Sequence, residues 1–378
     1  MFPLLRPVRG WAVLCMLLAL TGCWDAREVE ERTSVIALGV DAHPQGYEVT
    51  VQVPNPLKVV GSGGSGGGGG EGGQAAVQLF TGVGKTLNDA MNEIRNQTNQ
   101  RIFFGHTQLL MLGDQMARKG ISGMLDALRR QQEIRRRQWA LVVKGKAKDA
   151  MKASPKLEQI PMEYMVYLIA NGVREGRYSS EGLSDLYSNI FNPGKQPILN
   201  FIEAEPEKVR WLGLAIMNKD RMVGLLPRKE SQVLLQLRDE EVGESFNTPC
   251  HKRGYIVFQP QGLKRDVRIQ FQGIRPVIRV NVDLRGEIVE KSCDVDLSRD
   301  PVIHALEKQV RRRYEHLAQT MVARLQKQFR TDACNFGNRV RAYYPQKWKQ
   351  LDWSEAFSQA DVRVNYHVKI LRIGLEAK

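Results

Sequence analysis

Strict alternation of apolar and polar positions at Tyr47–Val53 (YEVTVQV) is the period of a strand with one face buried. Ser34–Leu38 reads as a preceding strand, joined to it through a turn at Asp41–Gly46. Short apolar runs predict further strands at Val77–Phe80, Gln108–Leu112 and Trp139–Val143. Between them, Thr86–Gln97 carries Leu87, Ala90, Met91 and Ile94 at helical spacing, and Gly120–Arg130 is a second helix. Lys146–Ala153 starts a short helix stopped by Pro155, and Pro161–Asn171 and Ser180–Phe191 follow as helices. Residues 193–209, with Pro193, Pro197 and Pro206, have the composition of a linker. A hairpin is expected from Val209–Met217 and Met222–Leu225, then a helix at Lys229–Leu237.

A meander is expected from Tyr255–Gln259, Val267–Gln272 and Pro276–Leu284. A long helix should run from Pro301 to about Arg330, because Ile303, Leu306, Val310, Tyr314, Leu317, Met321, Leu325 and Phe329 recur at steps of three or four. Asp300 is placed to cap it, and Asn335-Phe336-Gly337 to break it. Val362–Ile370 closes the chain as an alternating strand. Strands and helices are mixed without regular alternation, which argues an α+β protein of two to three domains, with mixed or antiparallel sheets and flanking helices. The expected divisions are 1–22, 23–200, 201–285 (hairpin and meander) and 286–378 (long helix plus final strand).

The first division reads as a secretory signal. Arg6 and Arg9 precede an apolar run, Trp11–Leu20, that is short for a transmembrane helix. It ends in Leu20-Thr21-Gly22-Cys23, the pattern of a lipobox, in which Cys23 is alkylated with diacylglycerol and becomes the first mature residue. Small side chains suit the peptidase cleft, and the thiol is the nucleophile that is alkylated. Two or more acyl chains give lasting attachment.

Cleavage would remove Arg6 and Arg9 and no acid, lowering the net charge from +14 to +12. A basic body beside an anionic leaflet needs no nucleic-acid partner. The Gly61–Gly73 tract holds ten glycines and is expected to form a surface loop. Cys250, Cys293 and Cys334 would remain in the mature body, without zinc-ligand or redox spacing. Buried free thiols are the simpler expectation, and one disulfide plus one free thiol is the alternative.

No constellation points to catalysis. Gly82–Thr86 (GVGKT) sits between a strand and a helix, but a phosphate loop needs a glycine where Leu79 stands, so a turn and helix cap is expected. No two of His43, His106, His251, His304, His316 and His367 have metal-ligand spacing, and His106 is read as a structural hydrogen-bonding residue beside Gly105. Asp239, Glu240 and Glu241 are read as a solvated loop. The basic clusters Arg129-Arg130, Arg135–Arg137 and Arg311–Arg313 lack interleaved stacking aromatics; a solvated helix face is expected for the last, with lipid headgroups or an acidic partner as alternatives.

Cys23–Glu28 (CWDARE), Ala37–Asp41 (ALGVD), Tyr47–Pro56, Gly84–Thr86, Gly105–Gln108 (GHTQ) and the arginine-containing stretch 125–135 occur in an order that resembles the Ger(x)C family, the C-subunit lipoproteins of endospore germinant receptors. Asp332–Gly337 (DACNFG), Tyr344–Trp348 (YPQKW), Trp353–Phe357 (WSEAF) and Ala360–Gly374 continue the resemblance over nearly the whole mature chain. The Gly-rich tract and the excess positive charge depart from it. The resemblance implies a three-domain α+β protein on the outer face of the spore inner membrane. It implies action with integral-membrane A and B subunits in nutrient sensing, without catalysis, cofactor or known small-molecule ligand. Cys23 is the one site residue carried over. The alternative is a stand-alone lipoprotein that captures a solute or peptide for a transport system; an extracytoplasmic hydrolase lacks a supporting constellation.

Overall fold

The computed structural model describes residues 32–55, 76–155, 157–158, 160–239, 241–250 and 254–372. Cys23, the signal segment, the Gly61–Gly73 tract, Glu240 and His251 lie outside the described residues.

Three central strands explain the architecture. β2 (Ala37–His43), β6 (Leu109–Gly113) and β7 (Trp139–Val143) carry almost unbroken apolar runs because they are covered on both faces. They run parallel to one another and to β8 (Ile198–Glu205). Antiparallel hairpins extend both sides of this centre: β3 (Gly46–Pro54) and β4 (Val77–Gly84) on one, β9 (Lys208–Asn218) and β10 (Arg221–Pro227) on the other. The eight-stranded order is β10-β9-β8-β7-β6-β2-β3-β4. β1 (Arg32–Ser34) pairs separately, and in parallel, with β5 (Arg101–Phe103).

One face of the large sheet is covered by α1 (Leu87–Arg95), α2 (Asp114–Lys119), α3 (Ser122–Arg130) and a later helix, α6 (Leu183–Phe191). Leu87, Ala90, Met91 and Ile94 of α1 are all buried there, as their spacing predicts. The other face is covered by α4 (Ala147–Ala150), α5 (Pro161–Arg174) and α7 (Arg228–Arg238).

The second sheet contains β11 (Phe246–Pro249), β12 (Tyr255–Gln272), β13 (Arg275–Lys291) and β14 (Asp361–Arg372), in that order, with only β13 and β14 parallel. α8 (Asp300–Ala323) lies along β14 and α7, and continues as a π-helical turn, Arg324–Phe329. Leu306, Val310, Tyr314, Met321, Leu325 and Phe329 are buried, while Ile303 and Leu317 are half-buried. Asp300 opens the helix as its first residue, after Arg299, instead of capping it. α9 (Phe336–Tyr343), α10 (Pro345–Gln350) and α11 (Trp353–Ser358) complete the chain before β14. The core beneath α5 and α7 is continuous with the core between α8 and the second sheet.

The α+β class and the long helix stand as expected, but two expected divisions move. The boundary at 200/201 falls inside β8, and that at 285/286 inside β13. The proline-rich segment 193–209 therefore contains a core strand. Pro197 immediately precedes β8 and Pro206 follows it, where missing N–H groups break no ladder. The expected middle division is split between the sheets: β8–β10 pair with the first, and β12–β13 form one long hairpin in the second. Cys250 and Cys293 form a disulfide with a Cα–Cα distance of 6.4 Å, while Cys334 is free and buried. The simpler expectation of three free thiols is thus replaced by one bridge and one thiol; the strand ends meet because β11 and β13 flank β12.

Candidate functional site

The sequence segments singled out above are mostly structural in this fold. Asp41, at the end of ALGVD, accepts hydrogen bonds from the backbone N–H groups of Ala147 (2.8 Å) and Lys148 (2.9 Å), which fixes the start of α4 against β2. Burial pushes its carboxyl above the usual range, against those two N–H groups, which pull it down. Glu48 on β3 takes Lys148 at 2.8 Å and Lys146 at 3.1 Å.

Thr86 caps α1: its hydroxyl accepts from Asp89 N, and the Asp89 carboxylate accepts from Thr86 N, both at 3.1 Å. The GVGKT segment is accordingly a strand end and capping box. Asp239 is exposed, as its acidic run suggests, with its carboxylate 3.7 Å from Arg238 Nε. Desolvation raises its carboxyl above the ordinary value, partly opposed by Arg238. Among the described residues, no group of three or more His, Cys, Asp or Glu side chains is arranged to hold a metal.

The most connected polar feature is a seam between the two sheets. Arg238, the last residue of α7, is 6% exposed; its two terminal nitrogens are hydrogen-bonded and its Nε lies 3.7 Å from the Asp239 carboxylate. It donates to Glu181, to the Gln196 carbonyl at 2.9 Å and to the Ala333 carbonyl at 2.7 Å. Glu181 in turn accepts the N–H of Ile198, the first residue of β8, at 3.1 Å. Burial works to raise the Glu181 carboxyl, and Arg238 is the main opposing influence. Beside this cluster, Asn335 accepts the Gln196 N–H at 3.1 Å and Arg341 donates to Asn192 at 2.9 Å. Arg324 of the π-helical turn holds Glu230 of α7 with two bonds of 2.8 and 3.0 Å.

The DACNFG, YPQKW and WSEAF segments meet on the far side of this seam. Asp332 accepts from Gly337 N at 2.7 Å and from Trp353 Nε1 at 2.9 Å. Its complete burial raises the carboxyl, against these donors. A Cβ on Gly337 would stand 2.4 Å from Trp353 Nε1, so only glycine admits the indole. The Trp348 and Trp353 rings lie 5.9 Å apart, tilted at 37°, and Tyr344 donates to the Ile269 carbonyl at 2.7 Å.

Between the sheets these residues leave a cavity of about 540 Å³, lined by Gln196, Lys219, Arg330, Trp348, Asp352 and Trp353 among others. A smaller one, about 210 Å³, lies between α7 and α8 over Gln236, Phe246, Arg313 and Tyr314. Neither contains a nucleophile paired with a base. In the sequence, Glu181 and Arg238 look like ordinary polar residues of a loop and a helix end, and no spacing marks them as partners.

Residues 25–204 match the family described as "Spore germination protein N-terminal domain", and residues 212–374 match "Spore germination B3/ GerAC like, C-terminal". The chain is similar to Spore germination protein B3 of Bacillus subtilis (strain 168), with 23% identity, covering 96% of this chain and 97% of that protein. It is also similar to Spore germination protein KC of the same organism, with 23% identity, covering 96% and 95%. Among solved structures, that of the GerBC protein superimposes with a TM-score of 0.60 at 19% identity, covering 88% of this chain and 96% of that one.

Proposed function

Because the chain belongs to the Ger(x)C family of spore germination proteins, we propose that it is a lipid-anchored, non-enzymatic subunit of a germinant receptor, acting with integral-membrane A and B subunits. The observation that carries this reading is the succession along one chain: a lipobox at Leu20–Cys23, then the two germination matches over 25–204 and 212–374. Acylated Cys23 would hold the body on the outer face of the spore inner membrane. The buried seam of Arg238, Glu181 and Asp332 supports a body that presents both sheets to its partners in a fixed relation, since most of its polar atoms are paired within the chain.

The test is an affinity pull-down of the tagged chain from detergent-solubilised spore membranes, with mass spectrometry of the co-purifying proteins and of the peptide beginning at Cys23. Two multi-span subunits and a diacylglyceryl-modified Cys23 are expected. Transporter components in their place would favour the solute-binding alternative, and an unmodified cysteine would remove the anchor.

A further inference from the structure

A basic corner lies at the separate β1–β5 pair, at the first of the described residues. Arg32 and Arg101 are register partners in the β1–β5 pair. Arg32 lies over the Phe103 ring, and Phe103 meets His106 edge-on at 5.4 Å. Arg101 holds Glu133 at 2.7 Å, which brings the Arg135-Arg136-Arg137 run against the same corner. All three arginines of that run are exposed. Arg135 and Arg137 have no carboxylate partner among the described residues.

These two side chains, with Gly105, His106, Thr107 and Gln108, line a cavity of about 400 Å³. Its floor is built, not incidental. A Cβ on Gly105 would come within 2.3 Å of the Phe103 ring, so the turn before His106 requires glycine. The His106 ring is set by a 3.1 Å contact between Nδ1 and Ser34 Oγ, which leaves Nε2 for another group. Thr107 is 4% exposed and its hydroxyl has no hydrogen-bond partner in the structure. A buried hydroxyl without a partner is costly unless a ligand or water supplies one.

Two arginines, a histidine and a buried, unpartnered threonine on the lining of one cavity are residue types that suit a phosphate site. We infer that this cavity takes the phosphate of an anionic membrane lipid headgroup, and so sets which face of the body rests on the bilayer. The inference rests on the anchored reading above. Residues 24–31 separate Cys23 from Arg32, and even a fully extended chain gains only about 3.3–3.6 Å per residue, placing the corner within about 30 Å of the acyl chains. The competing occupants are free phosphate and the chain's own acids at Asp25, Glu28, Glu30 and Glu31.

The full chain would be reconstituted through its N-terminus into vesicles of phosphatidylcholine, alone or with one-third phosphatidylglycerol, and hydrogen exchange followed at residues 101–108 and 131–138. Exchange should slow by about threefold or more only with phosphatidylglycerol. R135Q/R137Q should abolish the effect while exchange in α8 stays unchanged. Equal protection in both vesicles would overturn the inference in favour of the acidic segment. Equal protection by millimolar inorganic phosphate on phosphatidylcholine vesicles would overturn it in favour of a soluble anion. The mass of the Cys23 peptide from the same sample separates the two ideas: phosphatidylglycerol-dependent protection with unmodified Cys23 keeps the site and defeats the anchor, and modified Cys23 without protection does the reverse.

Discussion

Arg238 and Glu181 are 57 residues apart in sequence, yet their buried side chains form an ion pair at the junction of the two sheets. The pair is bound into its surroundings on both sides, through Ile198 N–H on Glu181 and the Gln196 and Ala333 carbonyls on Arg238. Removing one partner of such a pair strands a buried charge, at a cost of about 3–5 kcal/mol. Arg238→Met and Glu181→Gln should each lower the denaturation midpoint strongly. The double variant should lose less than the sum of the singles, because neither leaves the other charge alone. Additive losses in a double-mutant cycle would show that the pair is not coupled.

Glu307 supplies a pH signature for the second half. On α8 it accepts the Ile370 N–H of β14 at 3.0 Å and faces His304 at 3.0 Å and Lys369 at 3.4 Å. Burial works to raise its carboxyl, but His304, the Ile370 N–H and Lys369 outweigh it and hold the group below its ordinary 4.5. A carboxyl depressed in the folded state adds stability above its unfolded value, and that stability is lost as pH falls through the folded value. Thermal unfolding of the wild type should therefore fall more steeply below about pH 4.5 than that of Glu307→Gln. Parallel curves for the two proteins would remove Glu307 as a source of acid sensitivity.

What the sequence revealed follows physical locality. The run Trp139–Val143 and the period of α8 express burial of neighbouring side chains, so they are visible without the fold. The capping role of Thr86 was visible for the same reason, since its partner Asp89 is three residues away. β8 was obscured because its flanking prolines look like linker chemistry until its ladder partners β7 and β9 are known. The roles of Arg238, Glu181 and Thr107 depend on contacts made by distant segments, and no spacing encodes them. Cys250 and Cys293, 43 residues apart, gave no pairing signal for the same reason.

The disulfide closes a loop containing all of β12 and β13, from the end of β11 to the exit of β13. In the chain-entropy account a loop of this length contributes about 4 kcal/mol by restricting the unfolded chain. Cys334 is buried, and its thiol is held well above the ordinary 9.0 by desolvation, so it should not react in the folded state. In a mature chain with Cys23 acylated, a thiol reagent should label no cysteine when folded, one when unfolded, and three after unfolding and reduction. Two or more labelled sites before reduction would exclude the bridge. Cys250→Ser/Cys293→Ser should unfold at lower denaturant while keeping the first sheet's exchange protection.

Trp353 tests whether the motif-rich C-terminal segment is a structural lock. Its indole N–H satisfies one oxygen of buried Asp332, whose other contact is the Gly337 N–H, and its ring fills the space a Gly337 side chain would need. Trp353→Phe keeps most of the packing but withdraws one of the two donors on that oxygen, leaving the Gly337 N–H, and the loss of one such hydrogen bond costs about 0.5–1.5 kcal/mol. Gly337→Ala keeps the donor but forces the indole aside, with an overpacking cost of about 1–3 kcal/mol. If the lock joins the halves, both variants should speed hydrogen exchange at residues 192–196 across the seam as well as at 330–341. Exchange that rises only at 330–341 would confine Trp353 to local packing and leave Arg238 as the link between the sheets.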